Sequence, residues 1–336
     1  MNKLASRYLL ILMTTIAVCM AGAFSFNVLV DPLWYFKGNQ LGQVNYAFNE
    51  RLTKINRLEP HLSRYDCVIF GDSRITLLPE QKIEGHRCFN LAFSAGKGEE
   101  FLAYAQYLQA RGFAPKLVIV GLSISEYRAH VGGPNIPDFI SSRTPPPGAL
   151  PQYLSIDTLD YSWRTLFGKS PIDRVYDRDF HCHVAAGATH YDPAVPIRDL
   201  KSGPFTGLER IELMRQLRAT FPQARWVGYT PPISAWAIAA YRDMNWLGDY
   251  THAIHAVSDV FDAYYDFSVP SDMTVEPANT YDGTHYSESA NAAIAASISS
   301  GAPGQALDLK AMDERQMMAI YLSRLARYGA ALKQAE

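Results

Sequence analysis

The chain has 336 residues, 48% of them hydrophobic and 19% charged, with a formal net charge of −2 at pH 7. That balance fits a folded globular protein of one large domain or two modest ones. With no basic stripe along it, the chain offers no electrostatic footprint for nucleic acid or another polyanion.

The amino terminus, MNKLASRY, carries Lys3 and Arg7, and residues 9–30 then run without a charge. A bilayer needs about 20 apolar residues, whereas the apolar region of a signal peptide is usually about 7–15. Residues 1–30 are therefore expected to be a short cytoplasmic stub and a transmembrane anchor. Cleavage after Ala21-Gly22-Ala23 is the alternative. Positive charges ahead of the span leave the amino end in the cytoplasm. The rest would face the periplasm or cell exterior as a single-pass protein of the cytoplasmic membrane. Val18 before Cys19 argues against a lipoprotein attachment site.

Residues 31–62 read as a connector with a helix in its second half. DCVIF (66–70) and RCFNLAF (87–93) are short apolar runs expected to be buried strands, with a short helix and a turn between them. Cys67 and Cys88 each open one of these runs. If the strands are neighbours the two thiols can meet, and an exported compartment permits the disulfide; two buried reduced thiols are the alternative. Cys182 is then unpaired.

EEFLAYAQYLQARG (99–112) has helical spacing and ends at Gly112, a C-cap residue. KLVIVGLS (116–123) is the third strand. Apolar runs alternating with helices imply a parallel sheet covered on both faces. Residues 127–204 break that rhythm as a loop-rich insertion, with a helix expected over 154–168. GLERIELMRQLRATFP (207–222) is an amphipathic helix, and Thr206 three residues before Glu209 resembles a capping start. RWVGYTPP (225–232) is the fourth strand, 252–265 a further helix and 265–269 a short fifth strand. Ala-rich 287–299 is strongly helical in propensity. Residues 301–336 are expected to be a helical tail.

Two short segments carry chemistry. GDSR puts Ser73 just past a strand, at the edge of the sheet where open parallel folds bind ligands. Gly71 frees the backbone for a sharp turn, and a serine opening a helix would have amides favouring an oxyanion. A hydroxyl nucleophile needs a base. Far downstream, YDGTHY offers His285 as the base, with Asp282 three residues earlier to orient it. Each motif alone is a common turn; together, one ending the first core strand and the other preceding the last sheet-covering helix, they are specific.

On GDS and DxxH the sequence resembles the GDSL-like, or SGNH, hydrolase superfamily, over about residues 64–125 and 205–300. The resemblance implies a three-layer α/β/α sandwich with a flavodoxin-like parallel sheet, spanning 63–300 with the insertion at 127–204. It also implies Ser73 as nucleophile with Asp282 and His285 completing a triad. In the family an oxyanion-hole glycine follows the second strand; here it falls on Gly96, or on Ala95 if the loop is one residue shorter. The family's asparagine after the third strand is replaced by Ser123, a donor of shorter reach.

An anchor ahead of such a domain is similar to the membrane-anchored SGNH-like proteins of alginate O-acetylation and of D-alanyl transfer to teichoic acids. This implies a serine O-acyltransferase acting on an envelope glycan, with a multi-pass membrane acyltransferase as partner. An esterase with the same triad, and a non-catalytic glycan-binding or scaffold subunit, are the alternatives.

Other residues weigh less. Trp236, after the TPPIS loop, is a candidate sugar platform, and Glu126 either lines the pocket or makes a surface salt bridge. His181, His183 and His190, with Cys182 and Asp192, match no strong zinc spacing, so no metal is expected. GxSxG, the P-loop lysine motif and GxGxxG are absent, and no cofactor is expected.

Overall fold

The computed structural model describes residues 3–127, 133–168, 174–185, 191–194 and 209–333. In chain order, helix α1 (Lys3–Val30) leads to a short strand β1 (Asn45–Tyr46) and helix α2 (Glu50–Leu58). Strands β2 (Cys67–Phe70) and β3 (Cys88–Asn90), helix α3 (Gly98–Ala110) and strand β4 (Leu117–Gly121) follow. Next come helices α4 (Asp138–Ser141), α5 (Ala149–Tyr153) and α6 (Ile156–Leu166), then strands β5 (Arg174–Tyr176) and β6 (Cys182–Val184). After them lie helix α7 (Glu209–Thr220), strand β7 (Arg225–Thr230), helices α8 (Ala235–Asp243) and α9 (Leu247–Ser258), and strand β8 (Ala263–Asp266). Helix α10 (Glu288–Ser300), strand β9 (Leu307–Asp308) and helices α11 (Glu314–Arg327) and α12 (Gly329–Lys333) close the chain.

Two compact units divide these elements: Met1–Pro60 with Thr144–Ala185, and His61–Arg143 with Ala186–Glu336. The expected connector and much of the expected insertion thus belong together. Antiparallel pairing of β1 with β5, and of β5 with β6, makes a three-stranded sheet out of them. Beside that sheet, buried Glu50 accepts a hydrogen bond from the Tyr176 hydroxyl at 2.7 Å and pairs with buried Arg174 at 3.5 Å. Buried Lys54 lies over the Tyr176 ring at 5.5 Å. Charges survive out of water only when partnered in this way. At the end of α1, Asp31 turns the chain in a left-handed conformation with φ 45. Its carboxylate accepts the backbone N–H groups of Tyr35, Phe36 and Gly38 at 2.9, 3.0 and 2.6 Å.

The second unit carries a six-stranded sheet in the order β3-β2-β4-β7-β8-β9. Its first five strands are parallel and β9 joins antiparallel to β8. CVIF and LVIVG are buried along their whole length, which is why they read as unbroken apolar runs. Successive side chains point to opposite faces. Cys67, Ile69, Ile119 and Val227 pack with Ala290, Ile294, Ala295 and Ile298 of α10. On the opposite face Phe70 meets Phe101 of α3 with ring centroids 6.2 Å apart. The architecture is therefore mixed α/β on a mostly parallel sheet. Taken in chain order, the parallel strands lie 2-1-3-4-5, and such a sheet opens its crevice between β2 and β4.

Cys67 and Cys88 face each other across the β2–β3 register and are joined by a disulfide. Cys19 and Cys182 take no part in a disulfide.

Several elements depart from expectation. No α-helix follows Ser73; the chain makes turns there, then a single 3-10 turn at Glu80–Lys82. Pro79 ends the segment before an α-helix can gather its first bonds. The expected tail helix starts only at Glu314, behind an Asp313–Gln316 capping box, because Leu307–Asp308 extends the sheet instead. Helix α9 begins at Leu247, ahead of the expected 252. Helix α10 starts and stops as its sequence suggests, with Ser287 accepting the Ala290 N–H at 3.3 Å and Gly301 in the left-handed region. The Thr206 capping start and His190 lie outside the described residues.

Candidate active site

Ser73 stands where β2 gives way to a turn. A Cβ on Gly71 would fall 2.2 Å from Ile75 Cγ1, and one on Gly121 at the end of β4 would fall 2.3 Å from Ile75 Cδ1. The two glycines leave room for Ile75, fully buried, to plug the rim between the strands. That plug pulls the chain round. Ile75 N–H donates to Asp72 O at 3.0 Å and Thr76 Oγ1 donates to Ser73 O at 2.8 Å, leaving Ser73 half-buried at the crevice.

The downstream segment is a loop closed on itself before α10. Thr280 and Tyr286 form a β-bridge, Thr280 Oγ1 donates to His285 O at 2.7 Å, and Tyr281 N–H donates to the same carbonyl at 3.2 Å. Gly283 takes the left-handed conformation the turn needs, at φ 83. Asp282 Oδ1 accepts the amides of Thr284 at 2.8 Å and His285 at 2.7 Å. Asp282 Oδ2 lies 2.6 Å from His285 Nδ1, and His285 Nε2 lies 2.8 Å from Ser73 Oγ. A carboxylate beside Nδ1 assigns the ring proton to that nitrogen, which leaves Nε2 to accept from the serine hydroxyl. Burial pushes the Asp282 carboxyl up, but the His285 hydrogen bond and charge and the two amides outweigh it. The group is held well below the usual carboxylate range. The Tyr281 ring lies nearly parallel to the imidazole at 5.5 Å.

Of the expected oxyanion donors Ser73, Gly96 and Ser123, the last two are engaged elsewhere. Gly96 N–H closes a turn on Phe93 O at 3.1 Å. Glycine is needed there because a Cβ would fall 2.8 Å from Gly71 O. Ala95, exposed at φ 51, and Ser73 both have amides that donate to nothing among the described residues. The Ser123 hydroxyl donates to Asp72 Oδ2 and lies 2.8 Å from Ser125 Oγ. Arg74 completes this corner: one guanidinium nitrogen is 2.9 Å from Asp72 Oδ2 and 3.3 Å from Ser123 Oγ. Burial pushes the Asp72 carboxyl up, but Arg74, Ser123 and the nearby His285 together hold it below its ordinary value.

Glu126 is buried, not on the surface, and its Oε2 accepts the Gly98 N–H at the start of α3 at 3.2 Å. Oε1 has no hydrogen-bond partner among the described residues. Burial, with the charges of Asp72 and Glu99 adding to it, pushes Glu126 up to about 8 against the opposing pull of Arg210 and Gly98. Trp236 is half-buried; its indole N–H donates to Leu332 O at 3.2 Å, and its ring meets Tyr191 edge-on at 6.2 Å. His183 Nε2 sits 3.1 Å from Asp177 Oδ2 in the first unit. No group of three or more His, Cys, Asp or Glu residues suited to a metal occurs among the described residues.

Arg74 and the hydrogen bonds that Thr280 and Thr284 each make within the loop were not singled out in the sequence. The one available signal was a charged residue directly after the candidate nucleophile, in a segment with little other charge. Comparison with protein-family models, curated proteins and solved structures finds no match for this chain.

Proposed function

We propose that the protein is a membrane-anchored serine acyl-transfer enzyme of the SGNH hydrolase type, its second unit being a three-layer α/β/α sandwich on a flavodoxin-like sheet. One observation carries the reading. Asp282, His285 and Ser73 form an unbroken hydrogen-bonded chain, 2.6 and 2.8 Å per link, between segments 212 residues apart. Turn chemistry alone gives no reason for that alignment, whereas a base aimed at a hydroxyl and oriented by a carboxylate is what nucleophilic catalysis requires.

Ser73 Oγ attacks the carbonyl carbon of an ester while its proton passes to His285 Nε2. Asp282 fixes the ring and offsets the imidazolium charge. The tetrahedral oxyanion is held by the amides of Ser73 and Ala95, the two that donate to nothing among the described residues. Arg74 supplies positive charge at the corner where the family keeps its asparagine. Collapse breaks the bond to the leaving alcohol, which takes the proton from Nε2 and leaves acyl-Ser73. An incoming hydroxyl, deprotonated by His285, then takes the acyl group. A glycan hydroxyl makes the protein an O-acyltransferase; water makes it an esterase.

Location favours the first. Residues Leu4–Val30 form a helix whose most apolar 18-residue stretch has mean hydropathy 2.2, long and apolar enough to cross a membrane. Lys3 and Arg7, ahead of the uncharged run from Leu9, favour a cytoplasmic amino end, and a Cys67–Cys88 disulfide fits an oxidising compartment. Such a domain would meet envelope glycan, with a multi-pass membrane acyltransferase supplying acyl groups. Engagement of the Ser123 hydroxyl and the Gly96 amide elsewhere favours a second reading, a scaffold that binds glycan without turning it over.

Aryl acetate turnover by the purified full chain separates these readings. Ser73→Ala is expected to lower kcat/KM by about 10³-fold or more, and Arg74→Ala by about 10²-fold. Turnover unchanged in Ser73→Ala would leave the scaffold. With an oligosaccharide acceptor added, acylated sugar marks a transferase and free acid alone an esterase.

A further inference from the structure

Helix α6 is built inside out. Its buried residues are Thr158, Ser162 and Thr165, and the helix packs against α1. Ser162 Oγ donates to Asn27 Oδ1 of α1 at 2.7 Å, and Asn27 Nδ2 donates to Tyr153 O of α5 at 2.8 Å. The apolar side chains point the other way: Ile156 is 84% exposed, Trp163 59% and Phe167 58%, with Leu159 and Leu166 beside them and Leu150 of α5 61% exposed. At 3.6 residues per turn the five from 156 to 167 share an arc of about 100°. Asp157, Asp160 and Arg164 occupy a third arc, the last two in an ion pair at 2.7 Å.

A helix folding in water hides its apolar stripe and shows its polar one. Small and hydroxylated residues at a helix–helix contact, with apolar residues outward, is the arrangement of helices packed in lipid. A separate charged arc is what a helix lying at a membrane surface turns towards water. Eleven residues are too few to cross a bilayer. Helix α1, by contrast, has 28 residues, about 42 Å at 1.5 Å each, against about 30 Å of hydrocarbon. Its early turns are exposed throughout, and only from Ala23 onward does it become partly covered. Helices α5 and α6 therefore meet α1 in the stretch that emerges from the hydrocarbon. Leu29 of α1 and Phe36 just beyond it, both exposed, continue the apolar surface there.

Resting on the reading of α1 as a membrane anchor, we infer that α5 and α6 form an interfacial platform. It seats Leu150, Ile156, Trp163 and Phe167 in the lipid surface beside the C-terminal end of α1. The platform makes a second contact with the bilayer, so that the chain after Asp31 is held at the membrane surface by more than a single helix.

Tryptophan fluorescence of the full chain tests this in phosphatidylcholine vesicles whose acyl chains carry bromine just below the headgroups. The difference between wild type and Trp163→Phe isolates Trp163 from the remaining tryptophans, and Leu12→Trp reports on α1 in the same vesicles. Most of the Trp163 signal is expected to be lost to bromine. A Trp163 signal unquenched while Leu12→Trp is quenched would overturn the platform, leave the anchor standing and point to a protein partner on this patch. If neither is quenched, anchor and platform fall together.

Discussion

Burial is the first force on Glu126, and it raises the carboxyl's pKa from an ordinary 4.5 to about 8. Between those two values the unfolded chain is ionised at this group while the folded one keeps its proton. The folded state then binds more protons, so stability falls as pH rises, by about 1.4 kcal/mol per unit at most, and levels off above about 8. Below the ordinary value both states are protonated and the effect vanishes. Glu126→Gln keeps an acceptor for the Gly98 N–H and removes the titration. Its melting temperature relative to wild type is expected to be higher at pH 9 than at pH 5; parallel curves at all pH values would show that Glu126 does not titrate this way. Asp72 is the contrasting case, equally buried yet ionised, because Arg74 sits 2.9 Å away and Ser123 donates to it. Nothing in the sequence distinguished these carboxyls, since each depends on partners brought together by β2, α3 and β4.

At the scale of elements, the β2–β3 pair is short, three matched residue pairs, and the disulfide closes a separation of 21 residues across it. Constraining a loop of that size in the unfolded chain contributes about 3 kcal/mol. Guanidinium unfolding of the full chain with and without a thiol reductant is expected to differ by about that amount; identical curves would mean the bond is absent or adds nothing. The strands themselves were legible because both faces are covered, so apolar runs such as CVIF and LVIVG carry the signal unaided. The turn after Ser73 was misread as a helix, since Ile75 filling the space over Gly71 and Gly121 is a tertiary fact. β9 was missed for a related reason: two residues joining a sheet edge have no periodicity to read.

For the molecule as a whole, the division into units was the least legible feature. Strand β1 pairs with β5 about 130 residues later through only two residue pairs, Asn45 with Tyr176 and Tyr46 with Val175. Stretches that read as connector and insertion thus belong to one small sheet. The adjacency of Ser73 and His285 was legible for the opposite reason. Both motifs lie at ends of elements whose place in a parallel sheet follows from the strand order, so topology alone brings them to one rim. What neither sequence nor strand order supplied was the diversion of Ser123 to Asp72, which leaves Arg74 as the charge at that corner.

The claim that Ser73 is a nucleophile activated by His285 meets its most direct test in labelling with a fluorophosphonate, followed by mass spectrometry of the adduct. The full chain in detergent is expected to carry one adduct on Ser73, lost in Ser73→Ala and strongly slowed in His285→Ala. A folded protein that takes no label, or that labels equally well without His285, would contradict the account.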